Sequence, residues 1–165
     1  MSNAKHSKAT VNWGTPADIV ERSRRALGGR IELDPMSSPE FNKFVGAERI
    51  YTKDDDGLKK VWRAETLFIN PPGGLVVQAW EKLAYSIGDF RRAIWIGFSV
   101  EQLCLLANHM PNPLYYPTLI CRKRISFIRD DGYTGSPSHG NYISAIGVDP
   151  DLFAECFRDL GAITG

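Results

Sequence analysis

The sequence predicts an α/β domain built on a parallel or mostly parallel sheet with helices on both faces. Apolar runs of buried-strand length alternate along the chain with stretches that have helical periodicity and capping signals. The chain has 165 residues, 43% hydrophobic and 24% charged, which is typical of one globular domain. We therefore expect a flexible tail over residues 1–12 and a single domain over residues 13–165.

Capping residues, glycines and prolines bound the predicted elements. Thr15-Pro16 predicts the start of the first helix, because proline is favoured at the first helical position, and Gly28-Gly29 predicts its end. Residues 30–34 are predicted as a short strand and residues 130–140 as a polar loop. Further helices are predicted over residues 39–45, 76–87, 100–109 and 150–160. Further strands are predicted over residues 49–51, 66–70, 93–98, 119–120, 124–128 and 142–148.

Composition excludes several classes of protein. No apolar run approaches the roughly 18–20 residues of a membrane helix, and the first ten residues lack the apolar stretch of a signal peptide. Cys104, Cys121 and Cys156 lie far apart without metal-ligand spacing, so we expect no metal and reduced, buried thiols in a cytoplasmic protein. The net charge of +1 means that any contact with nucleic acid depends on local patches.

Two polar residues stand at the carboxyl ends of predicted strands, where open α/β sheets bind their ligands. Asp34 ends the strand over residues 30–34, and Asn70 ends the strand over residues 66–70. Asp-Pro and Asn-Pro pairs are also common in plain turns, so neither residue establishes a site by itself. Their positions nevertheless indicate where a ligand would bind.

The segment Asn70-Pro71-Pro72-Gly73 has the groups needed to activate an exocyclic amine such as that of adenine. The lone pair of such an amine is delocalised into the ring, which makes the nitrogen a poor nucleophile. A side-chain amide oxygen and a backbone carbonyl can each accept one amine hydrogen and turn the lone pair toward an electrophile. The two prolines stiffen the turn that would hold these acceptors.

Three acidic residues, Asp54-Asp55-Asp56, precede Gly57 about twenty residues after Asp34. A carboxylate at this spacing binds ribose hydroxyls in mononucleotide-binding folds, although three acids in a row are more typical of a solvated turn. No GxGxxG or GxxxxGK[ST] pattern is present, which disfavours nicotinamide, flavin or triphosphate binding.

Basic residues cluster in two places along the chain. We expect the first group to lie on solvated faces. Aromatic residues interleave the second group, and this pattern fits a surface for phosphates and an unstacked base as well as it fits a solvated face. His139 lies in a loop, where it either contacts a substrate or makes local hydrogen bonds. The first group is Arg22, Arg24, Arg25 and Arg30, and the second is Arg122, Lys123, Arg124 and Arg129.

Several linked motifs in one order resemble the phage-type DNA N6-adenine methyltransferase family. The likeness covers nearly the whole chain from Trp13. The motifs are Trp13-Gly14-Thr15-Pro16, Glu32-Leu33-Asp34-Pro35, Tyr51-Thr52, Asp56-Gly57-Leu58, Asn70-Pro71-Pro72-Gly73, Arg124-Ile125-Ser126-Phe127 and Ser136-Pro137-Ser138-His139-Gly140-Asn141.

The resemblance implies a Rossmann-like methyltransferase fold, S-adenosyl-L-methionine as cofactor and double-stranded DNA with a flipped adenine as substrate. It also implies a phage or prophage protein acting in a bacterial cytoplasm. The expected catalytic residues are Asn70, Pro71 and Pro72. The expected cofactor-binding residues are Thr15, Pro16, Asp34, Pro35, Asp55 and Asp56. The expected substrate-binding residues are Gly73, Arg122, Arg124, Tyr133, His139 and Asn141.

The chain departs from the family pattern at two points. Met36-Ser37-Ser38 follows Asp34-Pro35 in place of a glycine-rich turn, and Gly73 stands where many relatives carry the aromatic that stacks on the flipped base. Tyr133, Tyr142 and Trp80, in that order, are the candidate replacements. Methylation of RNA or of a glutamine side chain, and a non-catalytic DNA-binding decoy derived from a methyltransferase, remain as alternatives.

Overall fold

The computed structural model describes residues 13–165 and confirms the α/β class. The predicted tail over residues 1–12, including His6, lies outside the described residues. The helices are α1 (Ala17–Ala26), α2 (Pro39–Val45), α3 (Val76–Tyr85), α4 (Val100–Leu106) and α5 (Pro150–Phe157). The strands are β1 (Leu33–Asp34), β2 (Arg49–Ile50), β3 (Ala64–Ile69), β4 (Phe90–Gly97), β5 (Thr118–Cys121), β6 (Phe127–Ile128), β7 (Thr134–Gly135), β8 (Tyr142–Ile146) and β9 (Gly161–Thr164).

Seven strands form one mixed sheet in the order β2-β1-β3-β4-β8-β5-β9, and β6 and β7 form a separate antiparallel hairpin. The strands from β2 to β4 pair in parallel, whereas β8 is antiparallel to both of its neighbours and β9 is antiparallel to β5. Five of the seven strands therefore run in the same direction, as the sequence predicts for a mostly parallel sheet.

Helices cover both faces of this sheet. On one face, α1 and α5 pack over Phe68 and Ile94, and on the other, α3 and α4 pack over Leu67 and Trp95. Successive strand residues point to opposite faces, so a strand covered on both sides needs an unbroken apolar run. This is why β3 and β4 are apolar through most of their length.

The connections out of the sheet centre diverge between β1 and β3. β1 pairs with β2 on one side and with β3 on the other, and β3 pairs onward with β4. The chain therefore passes from β1 toward one edge and from β3 toward the other. This divergence is a topological switch point, which in open α/β sheets opens a crevice at the carboxyl ends of the strands. Asp34 ends β1 and Asn70 follows β3, so both residues flank the crevice.

Several elements differ from the sequence-based prediction, and one of them is α4, which ends at Leu106 rather than at residue 109. The last helix ends at Phe157 rather than at residue 160, and the unpredicted strand β9 follows it. Gly161 permits this pairing, because a Cβ there would lie 2.0 Å from the carbonyl oxygen of Ile120. The predicted loop over residues 130–140 contains β7, which returns beside β6. Both missed strands are too short and too exposed to show a periodic pattern.

The cysteines are not uniformly buried. Cys156 is buried and Cys121 half-buried, whereas Cys104 is exposed on α4, so the expectation of buried thiols is wrong for Cys104. None of the helices within residues 13–165 is long and apolar enough to cross a membrane.

Candidate active site

A cleft of about 750 Å³ opens at the switch point, with a small inner cavity next to it. Its walls come from the turn after β1, the segment after β2 and the turn after β3, which contribute residues 35–38, residues 52, 53 and 56–58, and residues 71–75. Asp34 and Asn70 line the inner cavity, and Trp13 and Phe41 line both spaces. The cleft is within the size range of small-molecule sites, and the two predicted strand-end residues lie next to it.

The Asn70 side chain has a fixed orientation. Its Nδ2 donates to the carbonyl oxygen of Trp13 at 3.1 Å and to Thr15 Oγ1 at 3.0 Å. A carbonyl oxygen can only accept, so the amide nitrogen must face Trp13 and the amide oxygen must face away. Within residues 13–165, Asn70 Oδ1 accepts no hydrogen bond. The amide therefore retains an acceptor whose direction is set by its two donated bonds.

The backbone next to Asn70 offers a second acceptor. Pro71 is buried, and among the described residues nothing donates to its carbonyl oxygen. The next carbonyl, that of Pro72, accepts from the Leu75 N–H at 2.8 Å, which closes the turn into α3. Proline at both positions fixes the local backbone. The three residues predicted to be catalytic thus form one rigid corner with two unused acceptors.

Asp34 is a buried carboxylate without a cationic partner among the described residues. It is 3% exposed, and its Oδ1 accepts from the Met36 N–H at 3.2 Å. Burial raises the pKa of the Asp34 carboxyl from 3.8 to about 7, and hydrogen bonds from the Met36 backbone and the Ser37 side chain oppose this rise. An ionised carboxylate at such a position is costly unless a positive group approaches it. The environment of Asp34 therefore suits a cationic ligand.

The two residues of the acidic turn after β2 that were predicted to bind the cofactor, Asp55 and Asp56, have different environments. The carboxylate of Asp55 accepts from the N–H and the hydroxyl of Thr52 at 2.8 and 2.9 Å, so it closes the turn, and these hydrogen bonds hold its pKa below the usual value. Asp56 lines the cleft, with Lys59 Nζ 2.9 Å from its Oδ2. Of the two residues predicted to contact the cofactor here, only Asp56 faces the cleft.

Gly57 fixes how closely this turn approaches the loop after β1. A Cβ at residue 57 would lie 1.9 Å from the Pro35 carbonyl oxygen, and the Gly57 carbonyl accepts from Trp62 Nε1 at 2.8 Å. We expect Gly57→Ala to lower the free energy of unfolding by about 3 kcal/mol, because the methyl group meets backbone that cannot move aside.

Gly73→Ala is the matched control for this prediction. A Cβ at residue 73 would have no atom within 4 Å, so we expect a change within about 0.5 kcal/mol. Urea unfolding of both variants measures the difference, and equal unfolding midpoints would contradict the assigned packing role of Gly57.

The residues predicted to bind substrate are dispersed. Gly73 lines the cleft, whereas Arg122 lies elsewhere, with its guanidinium donating to the Asp159 carbonyl oxygen at 3.0 Å. His139 Nε2 lies 3.3 Å from Glu101 Oε2 at the start of α4. Arg124 is exposed, and no ion pair to it forms within residues 13–165.

Asn141 has a structural environment rather than a substrate-facing one. It is fully buried, its Oδ1 accepts from the Ile125 N–H at 2.7 Å, and its Nδ2 donates to the Phe98 carbonyl oxygen at 2.7 Å. The side chain therefore joins the end of β4 to the segment before β6, and the prediction that it binds substrate is corrected.

Two of the three candidate stacking residues are inaccessible. Tyr142 and Trp80 are fully buried, and both belong to the core beneath α3 and α4, where each packs near Trp95. Neither ring can stack on a base without unfolding that core. Tyr133 is 59% exposed and lies beside Trp13, with ring centroids 6.3 Å apart.

The first basic group lies on solvated faces, as predicted. Each of its four arginines forms an ion pair with an acidic side chain on the protein surface. The pairs are Arg22 with Asp18 and Asp159, Arg24 with Glu21, Arg25 with Glu155, and Arg30 with Glu48.

No local sequence pattern predicts the contacts made by the segment Trp13-Gly14-Thr15. Thr15 is 2% exposed and its hydroxyl accepts from Asn70, so the structure places it against the predicted catalytic residue rather than in the cleft. Pro16 precedes α1 and does not line the cleft. The only signal available from the sequence was the resemblance of this segment to a family motif.

Comparison with protein-family models finds no match, and comparison with curated proteins finds none either. Within residues 13–165, no three histidine, cysteine, aspartate or glutamate side chains come together in a way that could hold a metal ion.

Proposed function

We propose that this protein is an S-adenosyl-L-methionine-dependent methyltransferase that methylates the N6 amine of adenine in DNA, and that it belongs to the phage-type family. The observation that carries the proposal is the Asn70 amide, oriented by Trp13 and Thr15 so that its oxygen stays available beside an open cleft. The Pro71 carbonyl supplies a second acceptor in the same rigid turn.

These two acceptors match the needs of a conjugated amine. One N–H of the amine would donate to Asn70 Oδ1 and the other to the Pro71 carbonyl oxygen. Accepting both hydrogens favours a tetrahedral nitrogen, whose lone pair then points away from the two acceptors. Because their positions are fixed before substrate binds, the orientation costs little at the moment of reaction.

Residues around the inner cavity and the cleft fit the cofactor. Asp34 would face a positively charged portion of it, which would stabilise the carboxylate that burial disfavours. Pro35 and Asp56 line the larger cleft, where the remaining portion would lie. The cofactor supplies an electrophilic methyl group when bound, so the chain needs to position reactants rather than form a covalent intermediate.

Two exposed basic residues support a DNA substrate. Lys123 and Arg124 are exposed, and neither forms an ion pair within the described part of the chain, so they are available for phosphate contacts. An adenine must leave the duplex to reach Asn70, at a cost of a few kcal/mol, which contacts in the cleft would have to offset.

The proposal is tested by incubating the purified chain with methyl-labelled cofactor and, separately, duplex DNA, RNA or a glutamine-containing peptide. We expect label in DNA alone, recovered as N6-methyladenine, and sequencing of DNA from expressing cells should locate the methylated site. Label in RNA or peptide but not in DNA would exclude a DNA substrate. Absence of cofactor binding, measured by calorimetry, would favour a non-catalytic decoy.

A further inference from the structure

We propose that the indole of Trp13 is the surface on which the target base stacks, in place of the aromatic residue missing at Gly73. This inference rests on the proposed function. It concerns a residue whose side chain lines both the cleft and the inner cavity, and it selects a planar nucleobase over a glutamine side chain as the substrate.

Trp13 is tied to the acceptor that would hold the amine. Its carbonyl oxygen lies 3.1 Å from Asn70 Nδ2, so the position of its backbone is fixed relative to the Asn70 amide. Its ring is half-buried and borders the same inner cavity as Asn70. A base whose amine reaches Asn70 must lie near this ring.

The β6–β7 hairpin holds the indole in place. Gly14 and Ile128 exchange backbone hydrogen bonds of 2.6 and 2.9 Å, which attach the Trp13 segment to β6. The ring of Tyr133 packs against the indole at an interplanar angle of 57°. Gly135 leaves room for the indole, since a Cβ there would lie 3.0 Å from Trp13 Cη2. A stacking surface fixed before the base arrives loses little entropy on binding.

Other aromatic residues near the cleft are less suited to this role. Phe41 belongs to α2 and packs against Gly14, and Phe98 packs against Phe127 with ring centroids 5.3 Å apart. Neither is bonded to Asn70. At Gly73 nothing lies within 4 Å of a Cβ position, so that side of the cleft contributes no ring and has space for one.

The test replaces the indole and then restores a ring elsewhere. We expect Trp13→Leu to raise KM for DNA about tenfold or more, as losing one base-stacking contact does, and to weaken cofactor binding less than DNA binding. Trp13→Phe should retain most of the DNA binding. Phe98→Leu changes another ring that lines the cleft and is the variant with which Trp13→Leu is compared. Adding Gly73→Tyr to Trp13→Leu should recover DNA binding, because the new ring fills the open side of the cleft.

A second measurement does not depend on turnover. The chain has four tryptophans, and Trp62, Trp80 and Trp95 are at most 1% exposed, so acrylamide quenching of fluorescence reports mainly on Trp13. A duplex with the methylated site should protect the indole from acrylamide, and the same duplex with an abasic target should not.

The outcomes separate this inference from the proposed function. DNA methylation with an unchanged KM in Trp13→Leu, or equal protection by the two duplexes, would overturn the stacking role and leave the activity intact. A Trp13→Leu variant that melts like the wild type and is rescued by Gly73→Tyr supports the role. Failure of the wild type to methylate DNA would overturn both.

Discussion

Replacing Asn70 by alanine is expected to lower kcat by about a thousandfold, the order expected for removing one group that is fixed in place before the reaction. The alanine removes the amide oxygen that would accept an amine hydrogen, and it leaves only the Pro71 carbonyl. Cofactor affinity should stay nearly unchanged, because Asp34 and the cleft walls remain. Single-turnover methyl transfer and calorimetry measure the two quantities separately.

Two further variants define the cause of this loss. Thr15→Val removes the hydroxyl that accepts from Asn70 Nδ2 but keeps the bond to Trp13, so we expect an intermediate loss of about tenfold in kcat, with Thr15→Ser restoring activity. Asn108→Ala changes an exposed asparagine that does not line the cleft and should have no effect. Full activity of Asn70→Ala would contradict the proposed chemistry.

Replacing Asp34 by asparagine is expected to stabilise the protein without ligand at pH 8 while strongly weakening cofactor binding. The pKa of Asp34 is raised from 3.8 to about 7 by burial, so the folded protein keeps a proton that the unfolded chain releases. Stability therefore falls as pH rises from about 4 to 7 and stays low above that range. Asparagine is neutral throughout and does not incur this loss.

The pH dependence is the decisive part of this prediction. We expect the stability advantage of Asp34→Asn to shrink by about 2–3 kcal/mol between pH 8 and pH 5, as the wild-type carboxyl takes up its proton. Urea unfolding at several pH values measures it. Asp54→Asn, which removes an exposed carboxylate of the turn after β2, is the charge control. If the stability advantage of Asp34→Asn did not vary with pH, burial of the ionised Asp34 carboxylate could not be its cause.

Cofactor binding should also depend on the ionisation of Asp34, but it should strengthen with rising pH where stability falls. A cationic ligand favours ionised Asp34, so wild-type affinity should rise with pH up to about 7 and then level off. Asp34→Asn should bind at least about thirtyfold more weakly, since it lacks the charge. A variant that is more stable and less functional is expected where a binding site maintains an unfavourable charge.

Much of the fold could be predicted because its signals are local. The helix over residues 39–45 has its predicted bounds, with Ser38 accepting a hydrogen bond at its start and Gly46 in a left-handed conformation, φ 63°, at its end. The strand β9 could not be predicted, because its pairing with β5 is a contact between distant segments. The strand β7 was missed for a different reason, because its two residues are too few to show a periodic pattern.

In the candidate site, too, local patterns predict some features, whereas contacts between distant segments could not be predicted. Asp34 and Asn70 were predicted from their places at strand ends, which a single segment reveals. The partnership of Asn70 with Thr15 joins residues 55 positions apart, and no local pattern encodes it. Tyr142 looked available beside the basic group, but β8 lies between β4 and β5 with a helix-covered core on each face, which buries its ring.

The attachment of Gly14 to Ile128 has a consequence for synthesis of the chain. The segment that orients Asn70 leaves the ribosome first, yet the hairpin that holds it leaves much later. A chain that ends before the hairpin also lacks β8, which lies between β4 and β5, so both the attachment of the Trp13 segment and the middle of the sheet would be missing. Under the proposed function, methyl transfer is therefore expected only from a chain that extends beyond β8.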